Sequence, residues 1–241
     1  MDKSFDRNVV ISGASSGIGA ACARQIVAAG GRVALGARRA DRLERLVEEL
    51  GDAAVAVAAD VSKPADCKLL IDTAVERFGQ VDAVVANAGI GMYGGILDHS
   101  DTAIAEMLET NIGGTVWLTR AAVPELLRHE SSDIVIVSSV AGTHARENEA
   151  VYAATKHAQM GLGGGLDREL SKKGVRVTMF CPGGVVTEFA MGEGRGRTPE
   201  SPQLSDMMTA DHAAEAIVHI MSQPRAVRTL VYRLRGVTEE D

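Results

Sequence analysis

Tyr152 and Lys156 in "YAATK" stand at i and i+4, so on a helix they share one face. A tyrosine alone is a poor base near neutral pH, because its pKa lies at about 10. A neighbouring ammonium stabilises the phenolate and lowers that pKa. The pair can then give a proton to a carbonyl or take one from an alcohol. A plain surface pair has the same spacing. A second feature narrows the choice. Ser139 ends the apolar run "DIVIVSS", at the sheet edge where α/β enzymes bind ligands. Its hydroxyl can hydrogen-bond a substrate carbonyl, or simply cap the strand exit. Strand alternation turns Ser138 to the opposite side.

The stretch "SGASSGIG", Ser12 to Gly19, lies between the apolar "NVVI" and the helical pattern "AACARQIVAAG". A glycine-rich turn there exposes backbone N–H groups at a helix N-terminus, where donors and the helix dipole attract phosphate. Gly13, Gly17 and Gly19 are spaced G-x-x-x-G-x-G, which differs from the commoner dinucleotide fingerprint. A structural turn is the alternative. The second apolar run ends in "GARRADRL". An acidic residue at that point would bind an adenosine ribose. Here Gly36 and Ala37 are followed by Arg38 and Arg39, whose guanidiniums can fork onto a phosphate. That favours NADP(H), with NAD(H) admitted as the second cofactor. Alternatively, both arginines merely open a solvated helix. Asp41 follows them and reads as an N-cap.

Elements must position these groups. Val- and Ile-rich runs at 8–11, 32–37, 53–59, 81–87, 133–139, 176–182 and 229–234 predict strands buried on both faces. Helical patterns fall at 17–29, 40–50, 65–78, 101–129, 150–172 and 211–222. In the second of these, Leu43, Leu46, Val47 and Leu50 form one apolar stripe. This alternation predicts an α/β fold, a parallel sheet wrapped by helices on both sides. No composition shift divides the chain, so residues 1–241 read as one domain. The stretch from Gly192 to Ser205 is a loop, and a short substrate lid is expected around 188–210. A disordered surface excursion is the alternative.

The bulk numbers exclude several classes. A net charge of −7, with Lys and Arg dispersed, gives no reason to expect nucleic-acid binding. No apolar run is long enough to span a bilayer, and the N-terminus has no signal-like core. Cys22, Cys67 and Cys181 lack metal or disulfide spacing and suit a reducing compartment. A cytoplasmic protein is expected. His99, His144 and His157 show no ligand spacing, so no metal site is expected.

Taken together, these motifs resemble those of the short-chain dehydrogenase/reductase family. Ser12 holds the threonine place of its T-G-x-x-x-G-x-G turn, with Gly13, Ser15, Ser16, Gly17, Ile18 and Gly19. Asp60 and Val61 match its adenine-contacting pair. Asn87, Ala88 and Gly89 match its N-A-G. Pro182, Gly183, Val185 and Thr187 fall in its P-G-x-x-x-T segment. Asn111 in "ETNIGG" stands at its catalytic asparagine, and Ser139 lies thirteen residues before Tyr152, as in the family. The resemblance implies a doubly wound Rossmann fold with a seven-stranded parallel sheet. It implies a catalytic tetrad of Asn111, Ser139, Tyr152 and Lys156, with Tyr152 and Lys156 also touching the cofactor. In that scheme hydride passes between nicotinamide and a small carbonyl or alcohol substrate, Ser139 polarises the carbonyl, Tyr152 gives the proton, and Asn111 anchors a water that links Lys156 to solvent. It also implies a homotetramer or homodimer. An NAD-linked dehydrogenase and a nucleotide-sensing Rossmann protein without turnover are the alternatives; an intact tetrad argues against the latter.

Some features depart from the family pattern. Gly161, Gly163, Gly164 and Gly165 sit inside the helix that carries Tyr152, either for close helix approach or as a weak stretch. The loop "VAGTHARENEAV" is unusually charged and reads first as a solvated loop, with Arg146 alternatively a candidate to meet an anionic substrate; Arg195 and Arg197 are candidates to attract acidic substrates. Phe189 and Met191 are candidates for an apolar wall. The terminal "RGVTEED" is expected to be exposed.

Overall fold

The computed structural model describes residues 5–191 and 195–239. Strand β1 (Asn8–Ser12) leads to helix α1 (Gly17–Ala28), β2 (Arg32–Ala37) to α2 (Ala40–Leu50), and β3 (Ala54–Ala58) to α3 (Pro64–Phe78). Strand β4 (Ala83–Ala86) leads to α4 (Asp101–Leu108), a π-helical turn (Glu109–Gly113) and α5 (Gly114–Leu126). Strand β5 (Ser132–Val137) precedes α6 (Ala150–Leu170), which returns to β6 (Val175–Pro182). A minor pair, β7 (Val185–Val186) and β8 (Met208–Thr209), lies before α7 (Ala210–Ser222) and the last strand, β9 (Val231–Leu234).

The main sheet has the order β3-β2-β1-β4-β5-β6-β9, with every pairing parallel. This is the doubly wound Rossmann arrangement expected from the sequence. Strand alternation divides the apolar residues between two cores. Val9, Ile11, Val33, Leu35 and Val135 pack under α1, α2 and α7. Val10, Ala34, Val84, Ile134 and Ile136 pack under α3, α5 and α6. A strand with apolar residues on both faces has no solvated side, which explains its continuous apolar pattern.

The helix expected over 101–129 is broken. The π-helical turn at Glu109–Gly113 inserts extra backbone and buries Thr110 and Asn111. Gly114 follows because a Cβ there would come within 2.5 Å of Val61 Cγ2. By contrast, α6 runs unbroken for 21 residues through its four glycines. A Cβ on Gly163 would collide with Met179 on β6, whereas Gly161, Gly164 and Gly165 face open space. The expected lid falls partly outside the described residues, at 192–194. Its described part contains a short helical turn, Pro202–Asp206, and an isolated bridge between Met191 and Arg197. Among the described residues, no helix is long and apolar enough to cross a membrane.

The sheet edge remote from the glycine turn is tied by charge. Asp133, 2% exposed, accepts from Arg7 Nη1 at 2.6 Å, Arg176 Nε at 2.7 Å and Arg225 Nη1 at 2.8 Å. These three residues also donate to carbonyls of several segments, including Met221, Asp82 and Gly174. Deleting one member of a buried ion cluster leaves its partners uncompensated. Asp133→Ala is therefore expected to cost about 3–5 kcal/mol of unfolding free energy, measured by urea denaturation. A loss of less than about 1 kcal/mol would mean that the arginines are held by the carbonyls alone.

Candidate active site

The chain winds away from the centre of the sheet in both directions, and the order reverses between β1 and β4. At the carboxyl ends of these strands lies a cavity of about 1140 Å³. Gly13, Ser15, Ser16, Gly17, Ile18, Arg38, Arg39, Asp60, Val61, the Asn87–Gly89 segment, Ser139, Tyr152, Lys156, Pro182, Gly183, Val185 and Thr187 line it, whereas Gly19 and Asn111 are not among its lining residues.

The mouth of the β1–β4 crevice is held by one hydroxyl. Asn87 N and Ala88 N both donate to Ser12 Oγ, each at 3.0 Å. Asn87 Nδ2 returns to Ser12 O at 2.9 Å and Gly13 O at 3.2 Å. This pins the turn so closely that a Cβ on Gly13 would sit 2.8 Å from Ala88 Cα, and Gly13 has φ +66°. Gly19 is equally constrained, against Gly13 O and Asn87 Nδ2. Helix α1 then begins at Gly17 with no side-chain cap and no acidic residue in its first turn. Its N-terminal donors and dipole remain available to an anion. Gly17 faces Thr187, whose Oγ1 accepts from Phe189 N at 3.2 Å.

Along the wall beyond the turn, Arg39 donates to Ser15 Oγ (3.0 and 3.1 Å) and to Ser16 Oγ (2.6 Å). It also meets Glu188 at 2.8 Å, which Arg42 grips at 2.7 and 2.8 Å. Hydrogen bonds from these two guanidiniums hold the Glu188 carboxyl below its ordinary pKa. Arg38 instead pairs with Glu106 at 3.1 Å. Asp60 uses Oδ1 to accept from Ser62, and its pKa is depressed: burial opposes, but the Ser62 hydrogen bonds and the charges of Arg38 and Lys63 prevail. Arg42 and Glu188 escaped sequence reasoning. The available signal for Arg42 was its place one turn after Arg38 and Arg39 on α2. Nothing local marked Glu188, which arrives from the other end of the chain.

The four tetrad residues converge. Ser139 Oγ accepts from Ala141 N at 3.1 Å and lies near enough to the Tyr152 phenol to favour its ionised form slightly. Ser138 turns away, as alternation predicts, and donates to Lys156 O at 3.0 Å. The Tyr152 ring lies between Tyr93 and Phe189, with centroid distances of 5.9 and 5.6 Å. Asn111 Oδ1 accepts from Ile90 N at 2.8 Å, and its Nδ2 donates to Ile90 O at 2.9 Å and Thr155 Oγ1 at 3.0 Å. It thus fastens the exit of β4 to α6. Lys156 Nζ donates to Val137 O and Gln159 Oε1, both at 3.0 Å, and lies 5.7 Å from the Tyr152 ring centroid.

Two expectations need correction. The ammonium was expected to lower the Tyr152 pKa. Instead burial dominates and raises it, with the nearby Tyr93 adding to the rise and Ser139 opposing it. The phenol is thus held in its proton-donating form. The Asn111 main-chain carbonyl accepts from Gln159 Nε2 at 3.0 Å and Thr115 Oγ1 at 2.8 Å. The C-terminal segment is not uniformly exposed. Glu239 lines the cavity and accepts from Gly184 N at 3.0 Å; Glu240 and Asp241 lie outside the described residues.

Beyond Tyr152 the cavity is bounded by Tyr93, His144, Arg146, Phe189, Met191, Arg195 and Arg197. Arg197 stacks 4.8 Å from the Tyr93 ring centroid and donates to its hydroxyl at 3.2 Å. Among the described residues, no group of histidines, cysteines or carboxylates is arranged to hold a metal. Because Ser12 is 2% exposed and serves two backbone donors, Ser12→Ala should cost about 1–3 kcal/mol in a denaturant melt. Ser12→Thr, which keeps the hydroxyl, should restore that stability. A Ser12→Ala protein as stable as the parent would show that the crevice is held without this hydroxyl.

Comparison with known proteins agrees with this geometry. The family model described as short chain dehydrogenase matches residues 7–197. An uncharacterised oxidoreductase of Staphylococcus epidermidis is 32% identical over 237 residues, covering 98% of this chain and all of the relative. Among solved structures, an alcohol dehydrogenase of Thermococcus sibiricus complexed with 5-hydroxy-NADP aligns with TM-score 0.88 and 32% identity over 98% of each chain. The closed form of a serine dehydrogenase complexed with NADP⁺ aligns with TM-score 0.91 and 27% identity over 97% of this chain and 96% of that one. A 3-ketoacyl-(acyl-carrier-protein) reductase of Brucella melitensis complexed with NADH aligns with TM-score 0.85 and 28% identity over 96% and 97%. With the family model spanning most of its length and the relative covering nearly all of it, this chain belongs to the short-chain dehydrogenase family of oxidoreductases.

Proposed function

We propose that the protein is an NADP(H)-dependent oxidoreductase interconverting a small carbonyl compound and its alcohol. The observation that carries this is the buried Tyr152 with the Lys156 ammonium 5.7 Å from its ring centroid, in the cavity that Ser139 also lines at the carboxyl edge of the sheet.

The cavity suits a dinucleotide. Gly13, Ser15, Ser16, Gly17 and Ile18 line it, and the first turn of α1 has no side-chain cap. Gly13, Ser15, Ser16, Gly17, Ile18 and Gly19 would hold the pyrophosphate, Asp60 and Val61 the adenine, and Asn87, Ala88, Gly89, Pro182, Gly183, Val185 and Thr187 the nicotinamide half. Bound there, the nicotinamide supplies or accepts hydride. The chain itself orients the carbonyl with Ser139 and holds a proton on Tyr152 for delivery to the carbonyl oxygen. Lys156 presents a positive charge beside the phenol, and Asn111 fixes the backbone around both. Preorganised donors of this kind stabilise charge that develops in the transition state.

The preference for NADP(H) rests on the Arg38–Arg39 wall. Ala37 ends β2 with no carboxylate for a ribose, and Arg39 joins Ser15 and Ser16 on the side where a 2′-phosphate would sit. Arg42 adds a second guanidinium that already grips a carboxylate. The Glu188 contact favours a second reading. It already pairs with both Arg39 and Arg42, so NAD(H) would enter without leaving either unpaired. The names of the similar structures fit an alcohol–carbonyl pair as substrate. The three free, buried cysteines accord with a cytoplasmic location. Sedimentation equilibrium tests the dimer or tetramer expected of the family.

Tyr152→Phe should lower carbonyl reduction about 10²–10⁴-fold while cofactor still binds, as followed by nicotinamide fluorescence. Near-normal turnover would remove Tyr152 as the proton donor. Arg39→Ala with Arg42→Ala should weaken NADPH binding about tenfold or more and leave NADH binding nearly unchanged. An unchanged NADPH/NADH ratio would favour the NAD-linked reading.

A further inference from the structure

Lys156 is 3% exposed, and its ammonium has three protons to place. Two go to Val137 O and Gln159 Oε1. Gln159 stands one turn further along α6 and is itself 1% exposed. Its nitrogen donates to Asn111 O at 3.0 Å and Thr115 Oγ1 at 2.8 Å. The amide therefore satisfies its oxygen and both protons within the protein, against three elements: α6, the π-helical turn and α5. Thr115 Oγ1 in turn donates to Asn111 O at 2.8 Å, which closes a small ring of bonds. A buried amide costs free energy unless its bonds are made. An apolar side chain would fill the same space without that demand. The full set of bonds instead fixes where Oε1 lies, and Oε1 meets the one charged group at the centre of the site.

We propose that Gln159 is a positioning residue of the active site, which holds the Lys156 ammonium beside Tyr152 by tying it to the Asn111 carbonyl and the Thr115 hydroxyl. This rests on the reading of Tyr152 and Lys156 as the proton-transfer pair. The link also has an electrostatic effect. Burial pushes Lys156 down to about 8, so its charge is only just kept near neutral pH. The titratable groups that face it are Tyr152 on α6 and Cys181 on β6; β5 offers the neutral Val137 carbonyl, and Gly89 packs against it from the β4 side. A neutral oxygen that accepts from the ammonium favours the charged form. An amide does not exchange protons as water does, so Gln159 supports the charge without conducting a proton.

The test titrates Lys156 directly by NMR, in protein carrying ¹³C-labelled lysine and no cofactor. Lys156→Arg identifies its resonance. Gln159→Met keeps an unbranched chain of similar length but accepts no comparable hydrogen bond from the ammonium. Gln159→Glu places a carboxylate beside the ammonium. The expected midpoints are about 8 for the parent, about one pH unit lower for Gln159→Met, and higher than the parent for Gln159→Glu. The high-pH limb of turnover should move in the same directions. Equal midpoints in all three proteins would overturn the proposal and leave Gln159 as packing. If Gln159→Met does not fold, Gln159→Glu decides alone, and a midpoint at or below the parent's overturns the proposal. The titration uses no turnover, so a protein inactive toward carbonyls would defeat the functional reading and leave this result separate.

Discussion

The site depends on how closely one piece of backbone can approach another at the β1–β4 crevice. Two successive N–H groups at the end of β4 converge on the Ser12 hydroxyl, and the Asn87 amide reaches back to the carbonyls of Ser12 and Gly13. That contact leaves no volume for a Cβ at Gly13 or Gly19. It also determines where α1 begins, and so where its free donors lie. A parallel sheet opens here because its order reverses; the hydroxyl sets how far it opens.

The second constraint is dryness. Tyr152, Lys156, Asn111, Thr155, Thr115 and Gln159 are all buried, yet each has a polar partner. Such a network is rigid because moving any member leaves another unpaired. The π-helical turn belongs to this logic. A regular helix from 101 onward would hold Asn111 in a different register, whereas the turn lets it bond both backbone groups of Ile90 and still reach Thr155. Burial then acts in opposite senses on two neighbours. It keeps a proton on the phenol and loosens one from the ammonium.

What could be read from the residues was whatever repeats at short range. Alternating apolar runs predicted the sheet, and the 3.6-residue stripe at Leu43, Leu46 and Leu50 predicted α2. Tyr152 and Lys156 were visible because one turn of helix brings them together, and Ser139 because it ends a strand. Partners brought together by topology were not visible. Glu188 meets Arg39 across 149 positions, and Gln159 meets Asn111 across 48. Glu239, at a polar chain end, looked like a solvated tail. The broken helix was missed because apolar periodicity hardly changes when one turn gains a residue, although Gly113 and Gly114 marked the place. The direction of the Tyr152 shift was missed because a neighbouring charge can be read from spacing, while the depth of burial cannot.

The contact of Glu188 with Arg39 and Arg42 changes the kind of equilibrium that this wall supports. Two bare guanidiniums would gain an anion from solution and shed their counter-ions, and affinity would fall steeply with salt. Here the resident carboxylate is itself the counter-ion, and it is tethered to the segment that follows Thr187. An anion binding there would have to replace it, so net charge at the wall would change less, and ionic strength would weaken the outgoing and incoming pairs together. Glu188 and Phe189 are adjacent on one segment, so the carboxylate that closes this wall and the ring that packs beside Tyr152 share their backbone.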